Sequence, residues 1–376
     1  MESGLFCEVH LGCDRLGAVA ESGAIRFGGN MDFGMALTFS NHGLRLDPQY
    51  LAQSQIDQGV LAEELGYDHV WVAQHHGSEM YFPAPFVSLS AIAARTHRIR
   101  IGTYIIIMPI QHPLDVAENA AVLDLVSGGR FDLGLGLGNF NLDFNAYGIP
   151  KSERASRMEE SLTIIRGLWT QDNFSFKGKH YTIPPFTLVP KPIQKTPPLW
   201  VAATAEKAFD RAARHQCHLA GGSGFGIEYY EERLRAHGHD PKKFYKSLLQ
   251  QVHIAETREL AWHEAAPGIV SWVKYYKKEL DLSGDLKFMA NQPGGYFGVD
   301  PIPEATDLEN VKKLTFFGTP FLVGDPDDAI AWVERSKQKG YTHAVLGMQD
   351  CAKDPELAEK SMRLFAQHVL PRYKKR

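Results

Sequence analysis

Two adjacent histidines, His75 and His76, follow the short apolar run 69–73, and their type and place suggest chemistry more than any other residues of the chain. An imidazole titrates near neutrality, so a pair of them can take up, hold or hand on a proton. The run before them, His-Val-Trp-Val-Ala, is β-branched and aromatic, the pattern of a strand covered on both faces. In parallel α/β sheets, ligands gather beyond the carboxyl ends of the strands, where this pair falls. A lone histidine more often simply hydrogen-bonds a neighbouring carbonyl; two in succession at a strand tip weigh against that reading.

Other chemistries find less support. Gly134, Gly136 and Gly138 alternate along a strand pattern, and 221–226 is a second glycine-rich stretch. Neither has the spacing of a dinucleotide fingerprint or a Walker loop. Bare backbone at both places does permit close approach of a flat ring, with amides available to a phosphate. There is no Gly-x-Ser-x-Gly elbow for a serine nucleophile. The carboxylates Asp124, Asp132, Asp143 and Glu160 leave glycoside hydrolysis open, because that reaction depends on separations a sequence does not give. Cys7, Cys13, Cys217 and Cys351 are scattered, which fits a reducing cytoplasm better than a disulfide scaffold or zinc site, and no metal is expected.

The chain has 376 residues and a formal net charge of −4. It lacks the clustered cationic face that nucleic acid requires, and Lys374-Lys375-Arg376 is only a short solvated tail. No apolar stretch approaches the roughly 20 residues that span a bilayer. The best candidate, 99–110, is interrupted by Arg100, Gly102 and Pro109, so a soluble, non-membrane protein is expected.

The elements that must position the histidines alternate strand and helix with short connections, which implies parallel pairing by right-handed crossovers. Strands are expected at 33–39, 70–73, 99–107, 131–137, 199–203, 218–221, 248–255 and 344–347; eight close a barrel. Helices are expected at 47–65, opened by Asp47-Pro48 and stopped by Gly66, and at 85–95, 113–126, 153–170 and 205–215. Residues 1–30 are glycine-rich without hydrophobic period and read as a poorly ordered N-terminal extension; 31–376 reads as a single domain. Two insertions interrupt the cycle. The proline-rich stretch 173–198 is expected to be irregular, and 283–320 is either a water-excluding lid, carrying Phe288, Met289, Tyr296, Phe297, Phe316 and Phe317, or a second small core.

From residue 33 to 370 the chain resembles the bacterial luciferase-like family of flavin-dependent monooxygenases and oxidoreductases. The resemblance rests on Trp71-Val-Ala-Gln-His-His76, Pro83, Ile101-Gly-Thr103, His112-Pro113-Leu114, Ser127-Gly-Gly-Arg-Phe131, Gly134-x-Gly136-x-Gly138 and Phe144-x-x-Tyr147-Gly148, in that order. Later Arg157 with Glu160, Leu168-Trp169-Thr170, Lys179-His180-Tyr181 and Pro198-Leu-Trp200-Val-Ala202 continue the pattern.

That resemblance implies a (β/α)8 TIM barrel with insertions, usually a homodimer, holding FMN at the carboxyl ends of the strands. Its monooxygenase branch takes reduced FMN from a separate flavin reductase and uses dioxygen on a substrate, here expected to be small and apolar. His75 corresponds to the family's active-site histidine, His76 is the second catalytic candidate, in an orienting or structural part, and Gln74 replaces an acid often found there. Thr103, Gly136, Gly138, Asn139, Thr204, Ala205, Gly221, Gly222 and Ser223 are the expected cofactor-binding positions. A phosphate-binding arginine is replaced by Leu137, and two hydroxyl positions by Ala205 and Ala208, leaving Thr204, Lys207 or Arg211 and the helix amides near Ala205 to compensate. Two further readings stand beside this one. The first is a deazaflavin-dependent or other flavin oxidoreductase moving hydride on the same barrel; the second is a non-catalytic flavin-binding partner subunit.

Overall fold

The computed structural model describes residues 31–78, 82–221, 226–284, 297–316, 318–352 and 354–374. The extension 1–30, Gly222 and Ser223, and Phe288, Met289, Tyr296 and Phe317 lie outside the described residues.

Eight parallel strand positions form a ring. In spatial order they are β1 (Asp32–Leu37), β2 (His69–Val72), β3 (Arg100–Thr103) continued by β4 (Ile106–Ile107), β5 (Phe131–Gly136), β8 (Leu199–Ala202), β9 (His218–Ala220), β10 (Ser247–Ile254) and β14 (His343–Gly347). β14 returns beside β1 with Asp32 opposite His343. The remaining gap closes where Leu219 bridges Lys246 in parallel and its N–H donates to Tyr245 O at 2.9 Å. The expected eight-stranded α/β barrel is therefore present. A short strand, β13 (Leu322–Gly324), adds to the outer half of β10.

Helices cover the outside. α1 (Pro48–Glu64) starts as its sequence dictates, with Asp47 accepting from Tyr50 N and proline in the first turn. α2 (Pro85–Arg95) and α3 (Pro113–Ser127) follow, and α3 ends on Gly128 and Gly129, both at positive φ where a side chain would be strained. Arg130, next in line, donates to Ser127 O, Ile99 O, Ala93 O and Thr96 O, so the Ser-Gly-Gly-Arg motif ties helix ends together.

Two expectations need correction, and one helix had no counterpart among them. The strand expected over 99–107 is split: the chain leaves register at Tyr104 and Ile105, joined by a cis peptide bond, and β4 then pairs with β5. The stretch 173–198 contains an antiparallel hairpin, β6 (Phe174–Lys177) with β7 (Thr182–Phe186). Its two prolines are exposed, where an edge strand loses no ladder bond to them. Helix α8 (Arg258–Leu282), 25 residues long, was hidden by Pro267 inside it and by its weak apolar periodicity.

Helix α8 and residues 297–316 build a second core beside the barrel, around Trp272, Tyr276, Phe297, Phe316 and Phe321, with Phe140 from the β5 loop. Of the two readings of the long insertion, the described part of it matches the second small core.

Candidate functional site

The side chains facing into the barrel change size along its axis. At the amino ends lie His69, His218, His343 and Asp132, all buried. Above them Trp71 and Trp200 meet edge to face with centroids 5.3 Å apart, and Trp200 Nε1 donates to Asp132 Oδ1 at 3.2 Å. Trp71 fits because two neighbours lack side chains: a Cβ at Gly102 would lie 2.4 Å from the indole, and one at Gly34 2.7 Å from its Nε1. Nearer the carboxyl ends Ala36, Ala202 and Ala220 pack with Tyr104, Ile105, Leu249 and Val345. Small and large side chains are thus mixed toward the rim that carries His75.

The loop after β2 holds the pair. The His75 ring lies 5.2 Å from Phe140, which lies 5.7 Å from Tyr276 of α8. Burial, helped by the neighbouring His76, lowers the His75 pKa to about 3, so its imidazole is neutral at neutral pH. His76 is lowered too, again by burial. Its backbone N–H donates to Asp143 Oδ1 at 3.3 Å, its Nδ1 lies 3.3 Å from the Tyr147 hydroxyl, and its Nε2 is buried without a hydrogen-bond partner.

Gln74 explains why an amide stands before the pair. Its Oε1 accepts from Ile107 N at 2.8 Å while its Nε2 donates to Pro83 O at 3.1 Å. A carboxylate could do the first but not the second.

The other expected positions fall into groups. Thr103 is fully buried, and its hydroxyl both donates to Gly134 O and accepts from Gly134 N, clasping β3 to β5. A Cβ at Gly136 would lie 2.5 Å from Ile105, and one at Gly138 2.6 Å from Ile107, so these glycines make room for the chain's own bulge. Asn139 is exposed, and its carbonyl accepts from Lys151. Thr204 and Ala205 are exposed at the end of β8, where α6 (Glu206–Arg214) begins with no side-chain cap. Gly221, at φ +65°, ends β9; its N–H donates to Ser247 Oγ, which lies 2.9 Å from the Tyr104 hydroxyl. Lys207 is exposed, but Arg211 is buried and bound to Glu159 at 2.8 Å, which removes it as a phosphate partner.

The four carboxylates that left glycoside hydrolysis open are occupied structurally. Asp124 accepts from Gln194, Asp132 pairs with Arg100, Asp143 accepts from His76 N, and Glu160 accepts from the amides of residues 179–181.

One group escaped sequence reasoning. Asp350, buried just beyond β14, accepts from Thr38 and Ser40 beyond β1 at 2.8 and 3.0 Å and faces Gln251 Nε2 of β10 at 3.5 Å. Burial raises its pKa against those three hydrogen bonds. The only sequence signal was two hydroxyls and an acid just past the first and last barrel strands.

The family model for luciferase-like monooxygenases matches residues 31–343. The chain belongs to that family. It is thereby an oxidoreductase, and flavin-dependent and deazaflavin-dependent proteins both stand among its relatives. It is 28% identical over 173 residues to the oxygenase component of the flavin-dependent trigonelline monooxygenase of Acinetobacter baylyi, a match covering 45% of this chain and 48% of that one. Over 337 residues it is 28% identical to the F420-dependent glucose-6-phosphate dehydrogenase of Microbacterium testaceum, covering 87% of this chain and 95% of the other. In fold it resembles the oxygenating constituent of 3,6-diketocamphane monooxygenase from Pseudomonas putida, solved with FMN, at a TM-score of 0.73 and 20% identity over 93% of this chain and all of that one. Among luciferase-like proteins the two relatives differ in cofactor, so family membership leaves flavin and deazaflavin both in play.

Proposed function

We propose that the chain is the oxygenase of a two-component system that uses reduced FMN from a separate flavin reductase and dioxygen to oxidise a small apolar substrate. The observation that carries the reading is a neutral His75 at the tip of β2, beside Phe140 at the carboxyl-end rim of the barrel. Reduced FMN supplies the electrons that activate dioxygen; the chain supplies place, dryness and a proton path.

The residues fit such a group. His76 Nε2 is an orphaned buried nitrogen within the pair, and Gly221 offers a strand end where a Cβ would lie 3.3 Å from the Tyr104 hydroxyl. Thr204, Ala205 and the uncapped amides of α6 would take the phosphate, with Lys207 the nearest exposed cation on that helix. Gly136 and Gly138 would border the ring through the β4 bulge they make room for, with Thr103 and Asn139 on the neighbouring backbone. Phe140 and Tyr276 exclude water on one side, which favours an apolar substrate. His75, neutral, can accept a proton from the substrate side or hold one by hydrogen bond, with His76 set by Tyr147 and Asp143 behind it.

A homodimer completes the proposal. Val87 on α2 and Val122 and Val126 on α3 are exposed, Val87 at 72%, and the two helices pack side by side, giving an apolar face suited to a second copy.

The test supplies the purified chain with a flavin reductase, FMN, reduced nicotinamide and a panel of apolar ketones, aldehydes and alkanes, and follows substrate-dependent product formation. Product that requires both dioxygen and reduced FMN supports the proposal. The near full-length similarity to an F420-dependent dehydrogenase favours a second reading, hydride transfer to a deazaflavin; substrate-dependent reduction of F420 without oxygen would put that reading first.

A further inference from the structure

A cavity of about 320 Å³, the size of a small-molecule site, lies on the outer face of β10. Successive side chains of a strand point to opposite faces, and β10 divides accordingly. Leu249 packs among the interior side chains and Gln251 faces Asp350, whereas Leu248 and Gln250 line the cavity. The strand itself therefore separates this space from the barrel interior.

The walls are apolar and held apart. Phe321 and Leu322, leading into β13, form one side and Trp332 of the helix Pro326–Gln338 the other; they keep 7, 8 and 9% exposure. Gln250 is buried between them. Its Nε2 donates to Pro320 O at 2.8 Å and to Gln251 O at 3.1 Å, and its Oε1 accepts from Trp332 Nε1 at 3.1 Å. One buried amide thus ties both walls to β10, so the space is already formed and a ligand entering it has little to order.

Positive charge stands at the same place. Arg335 and Lys339 lie four residues apart at the carboxyl end of that helix, both exposed and both lining the cavity. Among the described residues neither has a carboxylate partner: Glu334 pairs with Lys337 at 3.7 Å, and Asp325 and Asp328 pair with Arg258. The helix end carries about half a negative charge, which two full cations outweigh. A larger cavity of about 470 Å³ offers the contrast. Its Arg211, Arg214 and Arg233 are bound to Glu159 and Asp210, so its charge is neutralised within the protein.

We infer that the cavity on β10 binds a small carboxylate whose body is aromatic or a short alkyl chain. The body would lie between Trp332 and Phe321, and the head would meet the Arg335 fork, with Lys339 as a second charge. Burial of the body supplies affinity, and the cations select an anion over an alcohol of the same shape. This inference stands apart from the flavin reading, because no residue of the cavity is among the proposed flavin or proton-transfer positions.

The experiment titrates the full chain, without flavin, with octanoate and with phenylacetate by calorimetry at low salt, beside octanol and inorganic phosphate as controls. Saturable binding of one equivalent of carboxylate per chain is expected, weakening as salt is added. Arg335→Gln should weaken it at least about 10-fold, the loss of a charge-assisted hydrogen bond, and combining it with Lys339→Gln should weaken it further. Both residues are exposed, so the circular dichroism spectrum and urea midpoint should not change. Leu248→Trp, which fills the cavity from the strand, should abolish binding; if that variant fails to fold, the exposed cations decide. Absence of saturable binding by either acid, equal binding of octanol or phosphate, or binding that survives loss of both cations overturns the site. None of these outcomes bears on turnover with FMN.

Discussion

His75 carries the proposed chemistry, and its environment makes the expectation specific. A neutral imidazole with a pKa of about 3 contributes no ionisation near 6.5 to the pH dependence of kcat/KM. His75→Ala should lower kcat roughly 10²–10⁴-fold, the usual contribution of a placed proton-transfer group, while the dissociation constant for flavin moves only a few-fold. Unchanged turnover would remove His75 from its role, and an inflection near 6.5 that vanishes in the variant would show that the imidazole titrates normally rather than being held neutral by burial. Gln74 gives a second prediction at this scale. Gln74→Glu leaves Pro83 O facing a carboxylate while keeping the bond from Ile107 N, and should lower stability by about 1–3 kcal/mol in urea unfolding. The pair itself was legible because a β-branched run ending in two histidines is a local pattern. Asp350 was not, since Thr38, Ser40 and Gln251 meet it only after the barrel closes.

Among the elements, glycine does more packing work than its flexibility suggests. Gly102 and Gly34 leave space for Trp71, and Gly134 lies where a Cβ would come within 2.0 Å of Thr103 O. Gly102→Ala must therefore displace either the indole or β3. A loss of about 1–3 kcal/mol is expected, read as a lower urea midpoint with unchanged slope. A neutral result would mean that the indole plug is loosely packed. The same glycines show where sequence reading stops. Alternation at Gly134, Gly136 and Gly138 was visible, but it read as bare backbone for a ring, whereas Ile105 and Ile107 fill the space beside two of them. Buried parallel strands announced themselves as continuous apolar runs, so the eight ring positions were found within a few residues. Helix α8 interrupts its pattern with Pro267 and packs into the second core beside the barrel, and β7 carries prolines that usually argue against a strand.

Across the whole molecule, buried histidines set the response to acid. His42, His75 and His218 are held to about 3, 3 and 4, and His69 and His343 are well below the ordinary value, in each case chiefly by burial. In the unfolded chain these groups take a proton near pH 6.5, but in the fold only well below it. Between those limits the unfolded state binds more protons, so stability rises with pH and is lost as pH falls from about 6.5. Each such histidine contributes up to about 1.4 kcal/mol per pH unit in that window. Glu159, lowered to about 2 by hydrogen bonding to His215 and by the Arg211 and Arg214 charges against a burial penalty, adds loss only below its unfolded value near 4.5. Acid unfolding should therefore begin between pH 6.5 and 5, before carboxylates titrate. The urea midpoint followed by circular dichroism should be flat from pH 8 to 7 and fall steeply by pH 5; a midpoint constant down to pH 5 would show that these imidazoles are solvated in the fold.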